Sequence, residues 1–176
     1  MAKVLYSATM SLDGYIAGPG GDMSWLTPYL GPNPTADALV DRIGALLIGN
    51  RTYGGDDPNK GTDSEGALSG AWHGPQFVLT HEPPEAVPVG YTFVTDLAAA
   101  VAAAKEAAGG KYVNILGAAV ARQALAAGLV DEVLTFVAPI LLGGGTRLFE
   151  GTPSVGLRRL TQREHPLAAE LWYEVV

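Results

Sequence analysis

The feature of this sequence that most constrains its fold is an alternation of short β-branched segments with alanine-rich segments of about ten residues. Asp96 can cap a helix over residues 97–108, and Gly109 and Gly110 then supply the left-handed backbone in which helices end. A further helix is predicted over residues 118–127, closed by Gly128. Because a helix between strands returns the chain to the same sheet, the pattern predicts an α/β fold with a largely parallel sheet and right-handed crossovers.

Strands are predicted wherever β-branched and aromatic residues cluster, and a short helix fits between the first two of them. Thr35 can cap this helix, whose apolar stripe runs through Leu39, Val40 and Ile43 at helical spacing. The chain therefore opens with a strand, a helix and a second strand. The predicted strands are residues 4–9, 45–49, 76–80, 91–94, 112–116, 132–138, 157–163 and 170–176.

The C-terminal part of the sequence breaks this alternation. From Gly145 onward no helix of useful length is predicted, and the last two predicted strands flank His165 and Pro166. Two strands joined in this way form an antiparallel hairpin, which we expect at an edge of the sheet. Residues 54–75 are rich in glycine and proline and are expected to form a long irregular loop.

Composition excludes several classes of protein. With 11 basic and 18 acidic residues the formal net charge is −7, and the cations are scattered, so a nucleic-acid interface is not expected. Cysteine is absent and the three histidines lack metal-ligand spacing, so no metal site is expected. No apolar stretch approaches the length of a membrane span. We expect residues 1–176 to form one domain of a soluble, cytoplasmic protein with neither a membrane nor a nucleic-acid partner.

Candidate ligand-binding loops follow the carboxyl ends of the predicted strands, where ligands gather in open α/β sheets. After strand 112–116, Gly117 allows close backbone approach, and the N–H groups of Ala118, Ala119 and Val120 at the helix start can bind an anion. The same glycine also fits a plain turn from strand to helix, since no complete dinucleotide fingerprint is present.

Two other loops can contribute to such an anion site. Arg51 and Thr52 follow strand 45–49 and offer a guanidinium and a hydroxyl suited to phosphate, although an exposed arginine can equally cap a loop. Gly143, Gly144 and Gly145 follow strand 132–138 and fit either a ligand-binding turn or a bulge. Together the loops indicate a phosphate-bearing ligand along one edge of the sheet.

Several motifs occur in an order that resembles a known superfamily. They are SLDGYIAG after the first strand, GNRTYGG after the second, and LGAAVARQALAAGLVDEV leading into APILLGGGTRLFEG. Over essentially its whole length the chain resembles the dihydrofolate reductase-like superfamily, and most closely the branch related to the reductase domain of the riboflavin-pathway bifunctional deaminase-reductase. The resemblance implies a three-layer α/β fold, with a mixed, mostly parallel eight-stranded sheet flanked by helices and a C-terminal antiparallel hairpin. It also implies a homodimer, formed through strand 133–138 or the hairpin.

The function implied by the resemblance is that of an NADPH-dependent reductase that transfers hydride to a small heterocycle, similar to a pterin or a pyrimidine. Arg51 would bind the 2′-phosphate of the adenosine and Thr52 the pyrophosphate. Ile16 and Ala17 would lie against the nicotinamide. The residues that the resemblance implies around NADPH are Ile16, Ala17, Gly49, Asn50, Arg51, Thr52, Thr80, His81, Gly117, Ala118, Ala119, Val120, Gly143, Gly144, Gly145 and Thr146.

Substrate contacts and the proton donor have fewer candidates. Ser11, Asp13 and Trp25 are the candidate substrate contacts, although Asp13 in an SLDG turn can instead bind nearby backbone amides and Trp25 can be a core residue. Asp13 and Asp37 are the candidates for a catalytic acid. Helical spacing directs Asp37 away from the apolar stripe and toward solvent, so proton donation by water is the alternative.

Two departures from the family pattern bear on function. Many relatives carry a pair of glycines where this chain has Gly117 and Ala118. The riboflavin-pathway reductase carries an acidic residue just before that glycine, where this chain has Ile115 and Leu116, which argues against a ribosylamino-pyrimidine substrate. The alternative hypothesis is a module that binds a nucleotide, a flavin or a drug-like heterocycle without turnover.

Overall fold

The computed structural model describes residues 1–176 and is built around one eight-stranded sheet. Two 3₁₀ turns, Pro19–Gly21 and Ser24–Tyr29, precede the first α-helix. The elements in chain order are β1 (Val4–Ser11), β2 (Tyr15–Ala17), α1 (Pro34–Val40), β3 (Ile43–Gly49), α2 (Asn50–Tyr53), β4 (Gln76–Leu79), β5 (Tyr91–Val94), α3 (Leu97–Ala107), β6 (Tyr112–Leu116), α4 (Ala118–Ala126), β7 (Glu132–Ala138), β8 (Thr146–Arg147), β9 (Leu157–His165) and β10 (Ala168–Val175).

The order of strands across the sheet is β5-β4-β3-β6-β1-β7-β10-β9. Every pairing from β5 to β7 in that order is parallel. β10 is antiparallel to both of its neighbours, β7 and β9, so a hairpin forms one edge of the sheet. β2 and β8 make a separate antiparallel pair. The predicted mixed, mostly parallel sheet with a C-terminal antiparallel hairpin is therefore confirmed.

Helices cover both faces of this sheet and produce three layers. On one face α3 and α4 bury small side chains, among them Ala104, Ala121 and Ala124, in a cluster with Val113 and Ile115 of β6. Side chains of this size let the helices approach the strands closely, which favours dense packing. On the other face Leu39 of α1 belongs to a second buried cluster.

The long loop after α2 is attached to this second cluster. Residues 54–75 contain no strand or helix, as predicted, but Trp72 within them is buried with Leu46 and Val78 of the sheet. The indole Nε1 of Trp72 donates a hydrogen bond to the carbonyl of Ile43 at 3.0 Å. One large side chain with a satisfied polar atom therefore fixes an otherwise irregular segment.

The first helix differs from its prediction at both ends. Asn33, not Thr35, caps α1, because its side chain accepts hydrogen bonds from two amides of the first turn and Pro34 occupies the first helical position. The helix ends at Val40, and Ile43 already belongs to β3. An apolar residue three positions further on fits a helix face and a buried strand equally well, so spacing alone extended the helix too far.

The other helices and the hairpin agree closely with the sequence. Asp96 caps α3 by accepting a hydrogen bond from the amide of Ala99 at 2.8 Å. Both α3 and α4 end one residue before the predicted position. β9 continues to His165, two residues beyond its prediction, and β10 begins at Ala168. No helix has the length and apolar character that crossing a membrane requires.

A buried carboxylate joins the hairpin to α1. Glu170 of β10 is fully buried and accepts hydrogen bonds from the hydroxyls of Thr35 at 2.6 Å and Thr161 at 3.2 Å. His165 Nε2 lies 2.6 Å from the same carboxylate and Arg163 lies 3.8 Å from it. Burial raises the pKa of Glu170, but these four partners outweigh it and hold the pKa below its usual value.

Candidate functional site

A cleft opens between two neighbouring parallel strands whose following connections run toward opposite edges of the sheet. β3 continues through α2 to β4 on one side, whereas β6 continues through α4 to β7 on the other side. Such a reversal leaves a crevice at the carboxyl ends of the two strands, and α/β proteins bind ligands there. The crevice lies between Gly49, which ends β3, and Gly117, which follows β6.

The backbone at Gly117 accepts no side chain. Its φ of +108° is rare for residues with a Cβ, and a Cβ at this position would lie 2.4 Å from the hydroxyl of Thr52. The same added atom would lie 3.7 Å from the amide nitrogen of Gly49, so the two strand ends are close neighbours. Glycine is therefore needed here both for conformation and for space.

The N-terminus of α4 faces this cleft without a cap. No side chain accepts a hydrogen bond from its first turn, and the N–H groups of Ala118, Ala119 and Val120 have no partner in the chain. The first amide to pair is that of Ala121, with the carbonyl of Gly117 at 3.2 Å. All three free amides belong to residues of the cleft wall. Free N–H groups at the positive end of the helix dipole attract an anion.

Arg51 provides the only lysine or arginine charge among the residues that line the cleft. Its side chain is exposed and takes part in no hydrogen bond or salt bridge with another residue, so its guanidinium is free to bind a ligand. Asp56 and Glu82 also line the cleft. Because the whole chain carries a net charge of −7, an anion can be held only by local groups such as Arg51 and the free amides.

The opposite end of the cleft is formed by β2 and β8. A Cβ at Gly145 would lie 2.0 Å from the carbonyl oxygen of Ala17, so glycine permits the close contact between the segment leading into β8 and β2. The cleft has a volume of about 1340 Å³, above the roughly 300–1,000 Å³ of usual ligand pockets. The cleft is therefore large enough for a ligand bigger than those of usual pockets.

Most of the residues predicted to bind a coenzyme lie together on the walls of this cleft. The residues brought together are Ile16, Ala17, Gly49, Asn50, Arg51, Thr52, Thr80, His81, Gly117, Ala118, Ala119, Val120, Gly145 and Thr146. Gly143 and Gly144 lie outside the walls. The amide of Gly143 is used instead within the protein, where it donates a hydrogen bond to Asp13 at 2.7 Å.

The three candidate substrate contacts also lie outside the cleft walls. Ser11 is fully buried and donates to Asp13 at 2.6 Å, and Asp13 accepts further hydrogen bonds from the amides of Leu142 and Gly143. The Ser11 hydroxyl, followed by the two backbone amides, lowers the pKa of Asp13 to about 2. Asp13 thus ties the β1–β2 turn to the segment after β7. It binds backbone amides, as its alternative predicted, but these belong to Leu142 and Gly143 rather than to its own turn.

The two remaining candidates are also placed by the structure. Asp37 is on the exposed side of α1, in the direction that helical spacing predicted, and does not line the cleft. Trp25 packs near Tyr29, with ring centroids 6.4 Å apart, and its buried indole nitrogen has no hydrogen-bond partner. No carboxyl from β1, β2 or β8 lines the cleft, and the wall residue Asp56 accepts a hydrogen bond from the amide of Met23, in the segment after β2, at 3.2 Å.

Several wall residues were not identified from the sequence. Ser7 and Thr9 of β1 line the cleft, as do Leu26 of the second 3₁₀ turn and Met23, which immediately precedes that turn. The available signal was the alternation of Ser7 and Thr9 within a largely apolar strand, which places both on one face. The 3₁₀ turn carries no comparable pattern.

A comparison with protein-family models assigns the chain to a family. The model of the RibD C-terminal domain matches residues 2–168. The chain belongs to the RibD C-terminal domain family. No curated protein matches the sequence. For this RibD C-terminal domain, the expected resemblance to riboflavin-pathway reductase domains is therefore confirmed.

Solved structures share the fold of this RibD C-terminal domain. A candidate riboflavin biosynthesis protein from Shewanella sp. PV-4 is 26% identical, with a TM-score of 0.77, and the match covers 100% of this chain and 99% of that one. RibD from Acinetobacter baumannii is 19% identical, with a TM-score of 0.73, over 100% of this chain and 58% of that one. The domain therefore corresponds to a little over half of that RibD.

A dihydrofolate reductase has the same fold. The enzyme from Enterococcus faecalis, in complex with NADP(H), is 16% identical, with a TM-score of 0.65, and the match covers 98% of this chain and 96% of that one. The expected dihydrofolate reductase-like fold is confirmed. Membership of the RibD C-terminal domain family, with reductases among the structural neighbours, supports an oxidoreductase.

Proposed function

We propose that this protein is an NADPH-dependent reductase that transfers hydride to a small heterocyclic substrate. The observation that carries the proposal is the convergence, at the switch between β3 and β6, of three free amides of α4 and the unpaired guanidinium of Arg51. Phosphate groups are the ligands that such a set of donors prefers. An adenine dinucleotide with a 2′-phosphate presents them at two separated points.

The residues of the cleft fit this coenzyme. The uncapped amides of Ala118, Ala119 and Val120 would hold its diphosphate, assisted by Thr52, and the guanidinium of Arg51 would hold its 2′-phosphate. The absence of a side chain at Gly117 leaves the space in which a ligand can contact the backbone.

Strand order sets the length of the proposed site. Thr80 and His81 at the end of β4 would border the adenosine, and Ile16 and Ala17 of β2, beside β1, would border the nicotinamide. β4 and β1 are three strand spacings apart, or about 14 Å at roughly 4.8 Å per spacing. This is the scale of an extended dinucleotide lying across the strand ends.

The bound coenzyme would supply the hydride. The contribution of the protein is to orient the substrate beside it and to exclude water with the walls formed by β1, β2 and β8. Of the two acids of the cleft wall, Glu82 follows β4, and Asp56 is engaged by the amide of Met23 at 3.2 Å; neither belongs to β1, β2 or β8. We therefore propose that the proton comes from water rather than from a protein carboxyl.

Three structural neighbours support the reaction class. RibD and the NADP(H)-bound dihydrofolate reductase are related in fold, and a neighbour from Corynebacterium diphtheriae is described as pyrimidine reductase-like, at 18% identity and a TM-score of 0.65 over 99% of this chain and 92% of that one. Leu116 immediately precedes the glycine of the cleft, where a carboxylate could have bound a polar substrate. We therefore propose a heterocycle other than a ribosylamino-pyrimidine.

Titration with NADPH and NADH, followed by assays of NADPH oxidation with pterins, pyrimidines and quinones, tests the proposal. The expected result is sub-millimolar NADPH binding and steady oxidation with at least one substrate. If neither NADPH nor NADH binds, the reductase proposal is overturned. Binding without oxidation across the panel would favour the second candidate, a non-catalytic module for a nucleotide, flavin or drug-like ligand. The absence of a carboxyl on β1 and β2 from the cleft wall supports this candidate.

We also propose that the protein is a homodimer that pairs through its hairpin. β7 lies between β1 and β10, so it is not available as an interface. β9 is an edge strand that exposes Leu157 and Leu160. Exposed apolar residues on a long unpaired edge favour association with a second strand. A single monomeric mass at micromolar concentration would contradict this proposal.

A further inference from the structure

A buried polar pair lies beneath the β1 end of the cleft. Ser7 of β1 donates a hydrogen bond from its hydroxyl to Asn114 Oδ1 at 2.8 Å. Asn114 is fully buried in β6, and the residues paired with it on the two neighbouring strands, Leu5 and Leu46, belong to the apolar core. The amide nitrogen of Asn114 has no hydrogen-bond partner.

An incompletely paired amide in an apolar core reduces stability, so a leucine would suit this position better if only the fold mattered. Buried polar groups with an unmet hydrogen bond are uncommon, and a functional role is one explanation for them. Asn114 has one visible effect on the cleft. It fixes the hydroxyl of Ser7, which lines the wall.

Ser7 lies at the end of the cleft remote from Arg51. β1 is two strand spacings from β3, which corresponds to about 10 Å. Ser7 is on the same strand as Thr9 and on the same face, and both line the cleft, as do Ile16 and Ala17 of β2. This is the end at which, in the proposed function, the nicotinamide and the substrate meet.

We propose that Ser7 is a substrate-binding residue, that Asn114 is the positioning residue that orients it, and that the substrate is an uncharged heterocycle with a ring N–H. The inference rests on the proposed reductase function and names the substrate class of the same cleft. The hydroxyl of Ser7 donates its one hydrogen bond to Asn114, so the oxygen of Ser7 can act only as an acceptor toward a ligand. A substrate phosphate would find no cation, since Arg51 is at the other end.

Two pteridines separate this inference from its alternatives. Lumazine carries ring N–H groups, and 1,3-dimethyllumazine has the same rings without them. Each would be titrated calorimetrically into the protein, with and without saturating NADP⁺. We expect lumazine to bind roughly 3- to 10-fold more tightly than the dimethyl compound, which is the factor expected for one hydrogen bond.

Variants then test the assignment to Ser7 and Asn114. Ser7→Ala should remove the preference for lumazine, and Asn114→Leu should reduce it without lowering the melting temperature, because the leucine replaces an incompletely paired amide. In the double variant the second change should add nothing. Thr161→Val, which removes a hydroxyl bonded to Glu170 far from the cleft, is the matched control and should keep the preference.

The outcomes distinguish this inference from the proposed function. A preference retained in Ser7→Ala, equal binding of the two pteridines by the unmodified protein, or no lumazine binding would each overturn the inference. Lost stability in Asn114→Leu with the preference intact would assign Asn114 a purely structural role and also overturn it. Failure of NADP⁺ to bind, measured separately, would overturn the reductase proposal, and the titration without NADP⁺ would still decide the role of Ser7.

Discussion

Replacement of Arg51 by alanine should discriminate between two coenzymes that differ by one phosphate. The guanidinium of Arg51 is exposed and has no partner within the chain, so its removal takes no hydrogen bond from the fold. The melting temperature should therefore be unchanged. NADPH should bind more weakly, whereas NADH, which lacks the 2′-phosphate, should be nearly unaffected.

The size of the effect follows from the exposure of Arg51. A hydrogen bond to a charged group contributes about 1.5–3 kcal/mol, and solvent screening of an exposed pair favours the lower part of that range. A loss of about 1.5–2 kcal/mol corresponds to roughly 10- to 30-fold weaker NADPH binding. The difference should shrink as salt concentration rises, because the pair is exposed.

Equilibrium titration of both coenzymes, monitored by nicotinamide fluorescence, measures this difference directly. Lys111→Ala is the matched control, because Lys111 is an exposed cation just before β6, at the end of the strands opposite the cleft. It changes net charge by the same amount and should leave the NADPH affinity within about twofold. Equal losses for NADPH and NADH in Arg51→Ala would refute the assigned role of this residue, and so would equal losses of NADPH affinity in Arg51→Ala and Lys111→Ala.

Three other perturbations test separate parts of the structure. Gly117→Ala should abolish NADPH binding and destabilise the fold by about 1–3 kcal/mol. Gly128→Ala, at a φ of +66° in open space, is the control and should keep NADPH binding. Equal loss of NADPH binding in the two variants would refute the steric argument. The pKa of Glu170 is lowered, so its stabilising effect is present above its ordinary value of 4.5 and lost as pH falls. Glu170→Gln should therefore flatten the acid side of the melting-temperature profile, and an unchanged profile would contradict the ion-pair account. Asp13→Asn should speed amide hydrogen exchange at Gly143, and unaltered exchange would mean that the carboxylate does not hold that segment.

The parts of the fold that could be predicted are those with local signals. Asp96 and the glycines after α3 mark that helix because capping depends on residues adjacent in sequence. The start of α1 was misassigned because Asn33 and Thr35 are both good caps, and Pro34 at the first helical position decides between them. The alternation of strands and helices was then sufficient to predict the parallel part of the sheet.

The candidate site was predicted where glycine or charge marked it and missed where it depends on packing across the sheet. Gly117 and Arg51 lie on the cleft because loops at the ends of neighbouring parallel strands meet. Ser7 and Asn114 are more than one hundred positions apart in the sequence, and only the pairing of β1 with β6 brings them together. Trp25 and Asp13 were candidates by residue type, but their contacts are within the protein.

The central claim is that the free amides of α4 and the guanidinium of Arg51 bind one coenzyme. Backbone NMR during a titration with NADPH tests it most directly, because each amide reports its own contact. We expect saturable shifts at Ala118, Ala119 and Arg51 at sub-millimolar NADPH, with smaller shifts on β9. Shifts confined to residues outside the cleft, or none at millimolar NADPH, would contradict it.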